Sequence, residues 1–97
     1  MNNLTPAIIQ DSQTKEVYML GYMNKQAFEL TKQTGYVHFW SRKRKKIWKK
    51  GETSGNVLKI VTIQEDCDKD TLLIQVDLIG SRVCHTGNIT CFNGTYL

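Results

Sequence analysis

Only one stretch of the sequence carries apolar residues at helical spacing for long enough to make a sizeable helix. Asn24 supplies an N-cap, Ala27, Phe28, Leu30 and Thr31 recur behind it, and Gly35 stands where a left-handed residue would end the last turn. A helix is therefore expected over about Asn24 to Thr34. The rest reads in short β-rich runs. Ala7 to Gln10 and Val17 to Tyr22 flank the polar stretch Asp11-Ser12-Gln13-Thr14 as strand, turn and strand. Tyr36 to Ser41 and Ile47 to Lys49 flank a basic tip as a hairpin. Val57, Lys59, Val61 and Ile63 alternate with Leu58, Ile60 and Thr62 in a further β run, and Leu72 to Leu78 is another strand. No repeat, linker or low-complexity tract breaks the chain, so residues 1–97 are expected to form one α+β domain, mainly antiparallel β-sheet with one principal helix.

A 97-residue chain buries a modest fraction of its surface, so the core is small and help from a metal or a second subunit is expected. Hydrophobic residues at 40% and charged residues at 23% describe ordinary globular composition, and no apolar run is long enough to cross a bilayer, so no membrane partner is expected. Met1-Asn2-Asn3-Leu4-Thr5 has neither the basic start and apolar stretch of a secretory signal nor an Arg-rich transit character, which makes a cytoplasmic location the expectation. Three cysteines are an odd number. A closed set of disulfides would leave one thiol over, and metal ligation or a reducing compartment fits better.

Thirteen basic against nine acidic residues give a net charge of +4, concentrated in Arg42-Lys43-Arg44-Lys45-Lys46 and Lys49-Lys50. Such a concentration suits a polyanionic partner, although a solvated hairpin tip without any ligand has the same composition. Cys67 falls between two predicted strands, and Cys84 and Cys91 bracket a loop near the C-terminus. Three thiolates suit zinc and leave a fourth tetrahedral position for water, while free cysteines are also often plain buried hydrophobes. Asp66, Asp68 and Asp70 alternate around Cys67, and three carboxylates so close repel unless a cation or a basic group neutralises them. An EF-hand is excluded because Thr71 replaces its glycine, Asp77 its bidentate glutamate, and a strand follows. Magnesium needs few carboxylates and can bridge them to phosphates; the plainer alternative is an acidic turn in water. Gly51-Glu52-Thr53-Ser54-Gly55-Asn56 is a polar loop able to cradle an anion, or simply a connector, and it lacks the ending of a P-loop. Trp40, Trp48 and Phe39 are stacking candidates, or core.

Taken in order, His38-Phe39-Trp40-Ser41-Arg42, Trp48, Lys50-Gly51-Glu52-Thr53-Ser54-Gly55-Asn56, Asp66-Cys67-Asp68 with Asp70, and Cys84-His85-Thr86-Gly87 with Cys91-Phe92 resemble the phosphoribosyl-AMP cyclohydrolase family, as does the upstream Met19-Leu20-Gly21-Tyr22-Met23-Asn24. The resemblance covers about Pro6 to Phe92. It implies an intertwined homodimer with zinc at the subunit interface, held by Cys67 of one subunit and by Cys84 and Cys91 of the other. It further implies magnesium at Asp66, Asp68 and Asp70, and a nucleotide as small-molecule substrate. The implied reaction is hydrolytic opening of the N1–C6 bond of phosphoribosyl-AMP to the formimino-aminoimidazole carboxamide ribotide, the third step of histidine biosynthesis. Some relatives carry a phosphoribosyl-ATP pyrophosphohydrolase domain after this one, and that activity is expected elsewhere. Lys49 stands at a position that is often His in relatives, so no catalytic role is assigned to it.

Zinc would lower the pKa of bound water from about 15.7 toward 7, and magnesium would assist. His85 is the expected general acid/base, because an imidazole titrates near neutrality; the alternative is a histidine that only orients a ligand or the substrate. Arg42, Lys50, Thr53 and Ser54 are expected to contact phosphate, and Trp40 and His38 to face the substrate. Ring opening is preferred over the similar attack of a zinc nucleobase deaminase, since the H-x-E and P-C-x-x-C signature is missing. A small nucleic-acid-binding module with structural zinc is the main rival, weakened by the acidic triad, so nucleic acid is not the expected partner. A metal carrier without catalysis is the other.

Overall fold

The computed structural model describes residues 3–97. Its elements are β1 (Thr5–Asp11), β2 (Val17–Met23), α1 (Lys25–Thr34), β3 (His38–Ser41), β4 (Lys46–Lys49), β5 (Val57–Glu65) and β6 (Leu72–Ile79). Strands β2-β1-β6-β5 form one sheet in that order, and β3 and β4 form a separate two-stranded hairpin. The sheet is antiparallel except at its centre, where β1 and β6 run parallel, with Ala7 opposite Leu72 and Asp11 opposite Val76. Sixty residues separate those two strands, so neither turn chemistry nor local periodicity signals their pairing.

Alternation decides which face each strand buries. In β6, Leu72, Ile74 and Val76 point into the core, as do Ala7 and Ile9 of β1. β5 is one of the two edge strands and keeps only Leu58 fully buried. Its alternation is broken by a bulge: Ile60 pairs with Val76 and Thr62 with Gln75, which leaves Val61 without an opposite residue and 50% exposed.

The helix begins and ends as its sequence requires. Asn24 Oδ1 accepts the Ala27 amide at 2.8 Å, and Gly35, at φ 80°, donates its amide to the Thr31 carbonyl. Buried Thr31 then joins the helix to the hairpin, because its hydroxyl donates to the Ala27 carbonyl and accepts the His38 amide at 3.0 Å. Phe39 enters the core from β3 and meets Trp48 with ring centroids 5.3 Å apart. Its ring lies so close to Gly21 of β2 that a methyl group there would sit 2.5 Å from it. The hairpin can rest on the sheet only because position 21 has no side chain. Val37 completes the join, donating to the Leu58 carbonyl and accepting the Lys50 amide, both at 3.0 Å.

Candidate active site

Two loops, one from the middle of the chain and one near its C-terminus, meet at one end of the β5–β6 hairpin. The first is Gly51–Asn56, which leads from β4 into β5; the second is Gly80–Cys91, which follows β6. Between them lies a cleft of about 500 Å³ whose walls include Arg44, Trp48, Lys49, Lys50, Thr53, Ser54, Asn56, Arg82, Cys84, His85 and Thr86. Gly51 makes the first turn possible. Its φ is 87°, and a Cβ there would collide with the Asn56 carbonyl. The Gly55 amide closes the turn on the Gly51 carbonyl at 2.8 Å, and the Ser54 hydroxyl accepts the Asn56 amide. Thr53 and Ser54 are left exposed on the cleft wall.

In the second loop the amides of Val83 and Cys84 both reach the Asn88 carbonyl, which folds Cys84 to Asn88 into a tight turn. Cys84 is buried and its sulfur lies 3.0 Å from the Thr86 hydroxyl. That hydroxyl and the Thr86 amide hold the Cys84 thiol below its ordinary value despite desolvation, with help from Cys91 and the Lys50 charge. The Cys91 thiol is shifted the other way. Desolvation and the neighbouring Cys84 push it up, and the Lys50 charge only partly offsets them. The two thiols are thus shifted in opposite senses, Cys84 toward the thiolate and Cys91 away from it. Cys91 is tied to the sheet through its own amide, which donates to the Tyr18 carbonyl at 2.7 Å.

The acidic triad stands elsewhere. Asp66 to Thr71 form the turn between β5 and β6, where Asp66 Oδ1 accepts the amides of Asp70 and Thr71 at 3.0 and 3.2 Å and Lys69 takes a left-handed φ of 62°. The ligand oxygens of Asp66, Asp68 and Asp70 lie within 4.8 Å of one another, all exposed. The hydrogen bonds that a protonated Asp68 donates to Asp70 and Asp66, and then their negative charges, push Asp68 up from its ordinary value; Asp66 is held below its own because bonds it accepts from Asp70, Asp68 and Thr71 outweigh desolvation. Three hard oxygens in mutual repulsion are a donor set that suits magnesium. Among the described residues this is the only convergence of three or more such side chains, so Cys67 does not meet Cys84 and Cys91 within one chain. The strands show why. β5 has nine residues and separates the Cys67 turn from the cleft by roughly 25–30 Å at about 3.3 Å per residue.

Residues 19–93 match the family profile of phosphoribosyl-AMP cyclohydrolase. A phosphoribosyl-AMP cyclohydrolase of Archaeoglobus fulgidus is 58% identical over 89 residues, covering 92% of this chain and 82% of that relative. The chain belongs to the phosphoribosyl-AMP cyclohydrolase family. Histidine biosynthesis bifunctional proteins HisIE of Bacteroides thetaiotaomicron and Thermotoga maritima are 58% and 56% identical over 95% of this chain, which spans 45% and 47% of their lengths. The chain therefore covers about half of those bifunctional relatives and most of the single-function one.

Seen as a member of this family, the chain places its predicted site residues unevenly. Lys50, Thr53, Ser54, Cys84 and His85 share the cleft. Arg42 and Trp40 do not: they line a second groove with Tyr22, and the Arg42 guanidinium stacks 4.0 Å above the Tyr22 ring. His38 lies in β3 with Nδ1 2.8 Å from the Tyr36 carbonyl and its amide on Thr31, so its visible role is to fasten the hairpin to the helix. Arg82 joins the cleft without having been named from the sequence, and Arg44, Asn56 and Thr86 join it after being named only as parts of the basic tip, the polar loop and the cysteine motif. Thr86 follows His85 directly and Arg82 lies two residues before Cys84, so proximity to the cysteine motif was the available signal for both. No helix of the described residues is long and apolar enough to cross a membrane.

Proposed function

We propose that this chain catalyses the hydrolytic opening of the adenine ring of phosphoribosyl-AMP, the third step of histidine biosynthesis, as a homodimer that uses zinc and magnesium. The observation that carries the reading is the cleft in which Cys84, His85, Thr53, Ser54 and several cations converge, in a chain that belongs to the phosphoribosyl-AMP cyclohydrolase family. The donor chemistry fits both metals. Cys84 and Cys91 are nearby thiols, and the Cys84 thiol is held below its ordinary value by Thr86, which favours the thiolate form that zinc takes. The roughly 25–30 Å to Cys67 and the acidic triad supports a second copy, whose β5–β6 turn would complete the site. When bound, zinc would supply an acidified water and magnesium a link to phosphate oxygens.

The chain's own groups account for the remainder. Thr53 and Ser54 present hydroxyls and exposed backbone to one phosphate, and Arg82 and Arg44 present guanidinium groups to anions from the two sides of the cleft. Trp48 gives the cleft an apolar wall beside Lys50, whose ammonium lies 5.8 Å from the ring centre. His85 is exposed on the cleft wall next to Cys84, and in this reading it moves a proton to ring nitrogen 1 as the N1–C6 bond breaks. Arg42, Trp40 and His38 are secondary candidates for the substrate. Their location outside the cleft restricts them to contacts made across the dimer or to support of the hairpin.

The decisive test is ring opening itself. Chelator-treated protein should be inactive toward phosphoribosyl-AMP in the ultraviolet assay and recover with zinc plus magnesium. Absence of turnover in the fully metallated dimer would reject the reading, and salt-dependent oligonucleotide binding without hydrolysis would favour the nucleic-acid alternative.

A further inference from the structure

The Gly51–Asn56 loop and the lysine before it hold the cysteine loop at two points. Lys50 extends its ammonium to the Val83 carbonyl, 2.6 Å away in a part-buried contact that spans 33 residues of sequence. Asn56 Oδ1 accepts the Ser81 amide at 3.1 Å. The two bonds grip the segment just before Cys84 on either side of Arg82. Both grips have fixed roots. The Lys50 amide donates to the carbonyl of fully buried Val37, and Gly80, at φ 136°, approaches Asn56 so closely that a Cβ there would collide with its side chain. Val83 itself is 3% exposed.

We propose that Lys50 and Asn56 form a two-point clamp that sets the position of the Cys84 sulfur relative to Cys91, and that Lys50 is a positioning residue rather than a phosphate ligand. The inference rests on the reading of Cys84 and Cys91 as zinc ligands. Its physical basis is that the two sulfurs are carried by different supports. Cys91 follows β2, through its amide on the Tyr18 carbonyl and the Thr90 hydroxyl on the Val17 carbonyl at 2.7 Å. Cys84 follows the turn closed by Asn88, and that turn is tied to the β4 side of the cleft through Lys50 and Asn56. An ammonium committed to a carbonyl has less freedom to close on a phosphate, whereas Thr53 and Arg82 line the same cleft without such a bond and the Ser54 hydroxyl, which only accepts the Asn56 amide, keeps its proton to donate. A donor that fixes the segment carrying a ligand acts on metal affinity more than on substrate affinity.

Lys50→Met keeps the aliphatic stem beside Trp48 and removes the donor; Lys50→Arg keeps a cationic donor. Two readouts separate the clamp from the metal assignment: zinc affinity by chelator competition, and amide exchange of residues 83–88 in metal-free protein. Lys50→Met is expected to weaken zinc roughly ten- to hundredfold and to speed exchange of those amides, with the Michaelis constant at saturating zinc changed less than about twofold; Lys50→Arg should restore most of the affinity. Asn56→Ala should act in the same direction. Unchanged exchange and unchanged zinc affinity in Lys50→Met would overturn the clamp, as would a Michaelis constant raised about tenfold or more with zinc affinity intact. If the wild-type protein bound no zinc, the ligand assignment would fall, and faster exchange of residues 83–88 would still support the mechanical link while unchanged exchange would refute it.

Discussion

Gly51 and Gly55 have nearly the same backbone, φ 87° and 80°, but different surroundings, and the pair isolates what the cleft loop demands of its sequence. Around Gly55 nothing lies within 4 Å of an added Cβ; at Gly51 that atom would meet the Asn56 carbonyl group and the Val57 nitrogen. For Gly55→Ala the cost is the left-handed conformation alone, about 1–2 kcal/mol, partly offset by about 0.4–1 kcal/mol from a less flexible unfolded chain. Gly51→Ala adds the displacement of backbone, about 1–3 kcal/mol. The expected losses are thus about 0.5–1 kcal/mol at Gly55 and about 2–4 kcal/mol at Gly51. At about 4–8 °C per kcal/mol for a domain of this size, Gly51→Ala should lower the melting temperature by about 8–32 °C and Gly55→Ala by about 2–8 °C. Urea unfolding followed by circular dichroism measures both. Because Asn56 also holds Ser81, Gly51→Ala should reduce zinc affinity at temperatures where the variant is still folded, and Gly55→Ala should not. Equal destabilisation within about 0.5 kcal/mol would show that the Asn56 contact does not constrain the loop.

His85→Ala should lower turnover by about 10²–10⁴ while zinc content, measured by metal analysis, is unchanged; near-normal turnover would move the proton transfer to another group. Arg82→Ala should raise the Michaelis constant about tenfold or more, whereas Arg42→Ala, whose guanidinium rests on Tyr22 outside the cleft, should change it less than about twofold. Steady-state kinetics on the two variants decides between them. Burial, and then the hydrogen bond to Asp11, pushes the Tyr18 hydroxyl up to about 12. The folded state therefore holds a proton that the unfolded state releases from about pH 10, so this contribution is complete below pH 10 and is lost as pH climbs toward 12. Tyr18→Phe should flatten that alkaline decline in urea midpoints. Asp11 behaves oppositely: the Thr14 amide, then the Tyr18 hydroxyl and Gln13 amide, outweigh desolvation and hold it below 3.8, so its contribution is present above that value and fades on acidification.

Elements whose signals are local were legible in the chain. The helix caps at Asn24 and Gly35, the β3–β4 hairpin around its basic tip and the alternation of β6 needed only neighbouring residues. The family, too, could be read from motifs spread over most of the sequence, and the convergence of the Asp66, Asp68 and Asp70 carboxylates followed from their spacing. Val61 was less legible, because a bulge is a mismatch between two strands and one strand cannot display it. The phosphate set divided for a similar reason. Arg42 and Lys50 both belong to a basic cluster, yet Arg42 lies on the Tyr22 side of the hairpin and Lys50 on the Val83 side.

Residue order by itself determined the types of element, the turn chemistry and the supply of thiols, carboxylates and cations, because each depends on covalent geometry and on contacts a few positions away. Tertiary structure alone decided that β1 runs parallel to β6, that Arg82 and Thr86 share a cleft with Ser54, and that Cys67 stands a strand's length from Cys84. Those relations depend on which distant surfaces bury each other, a balance of packing over the whole domain that no short stretch of sequence contains.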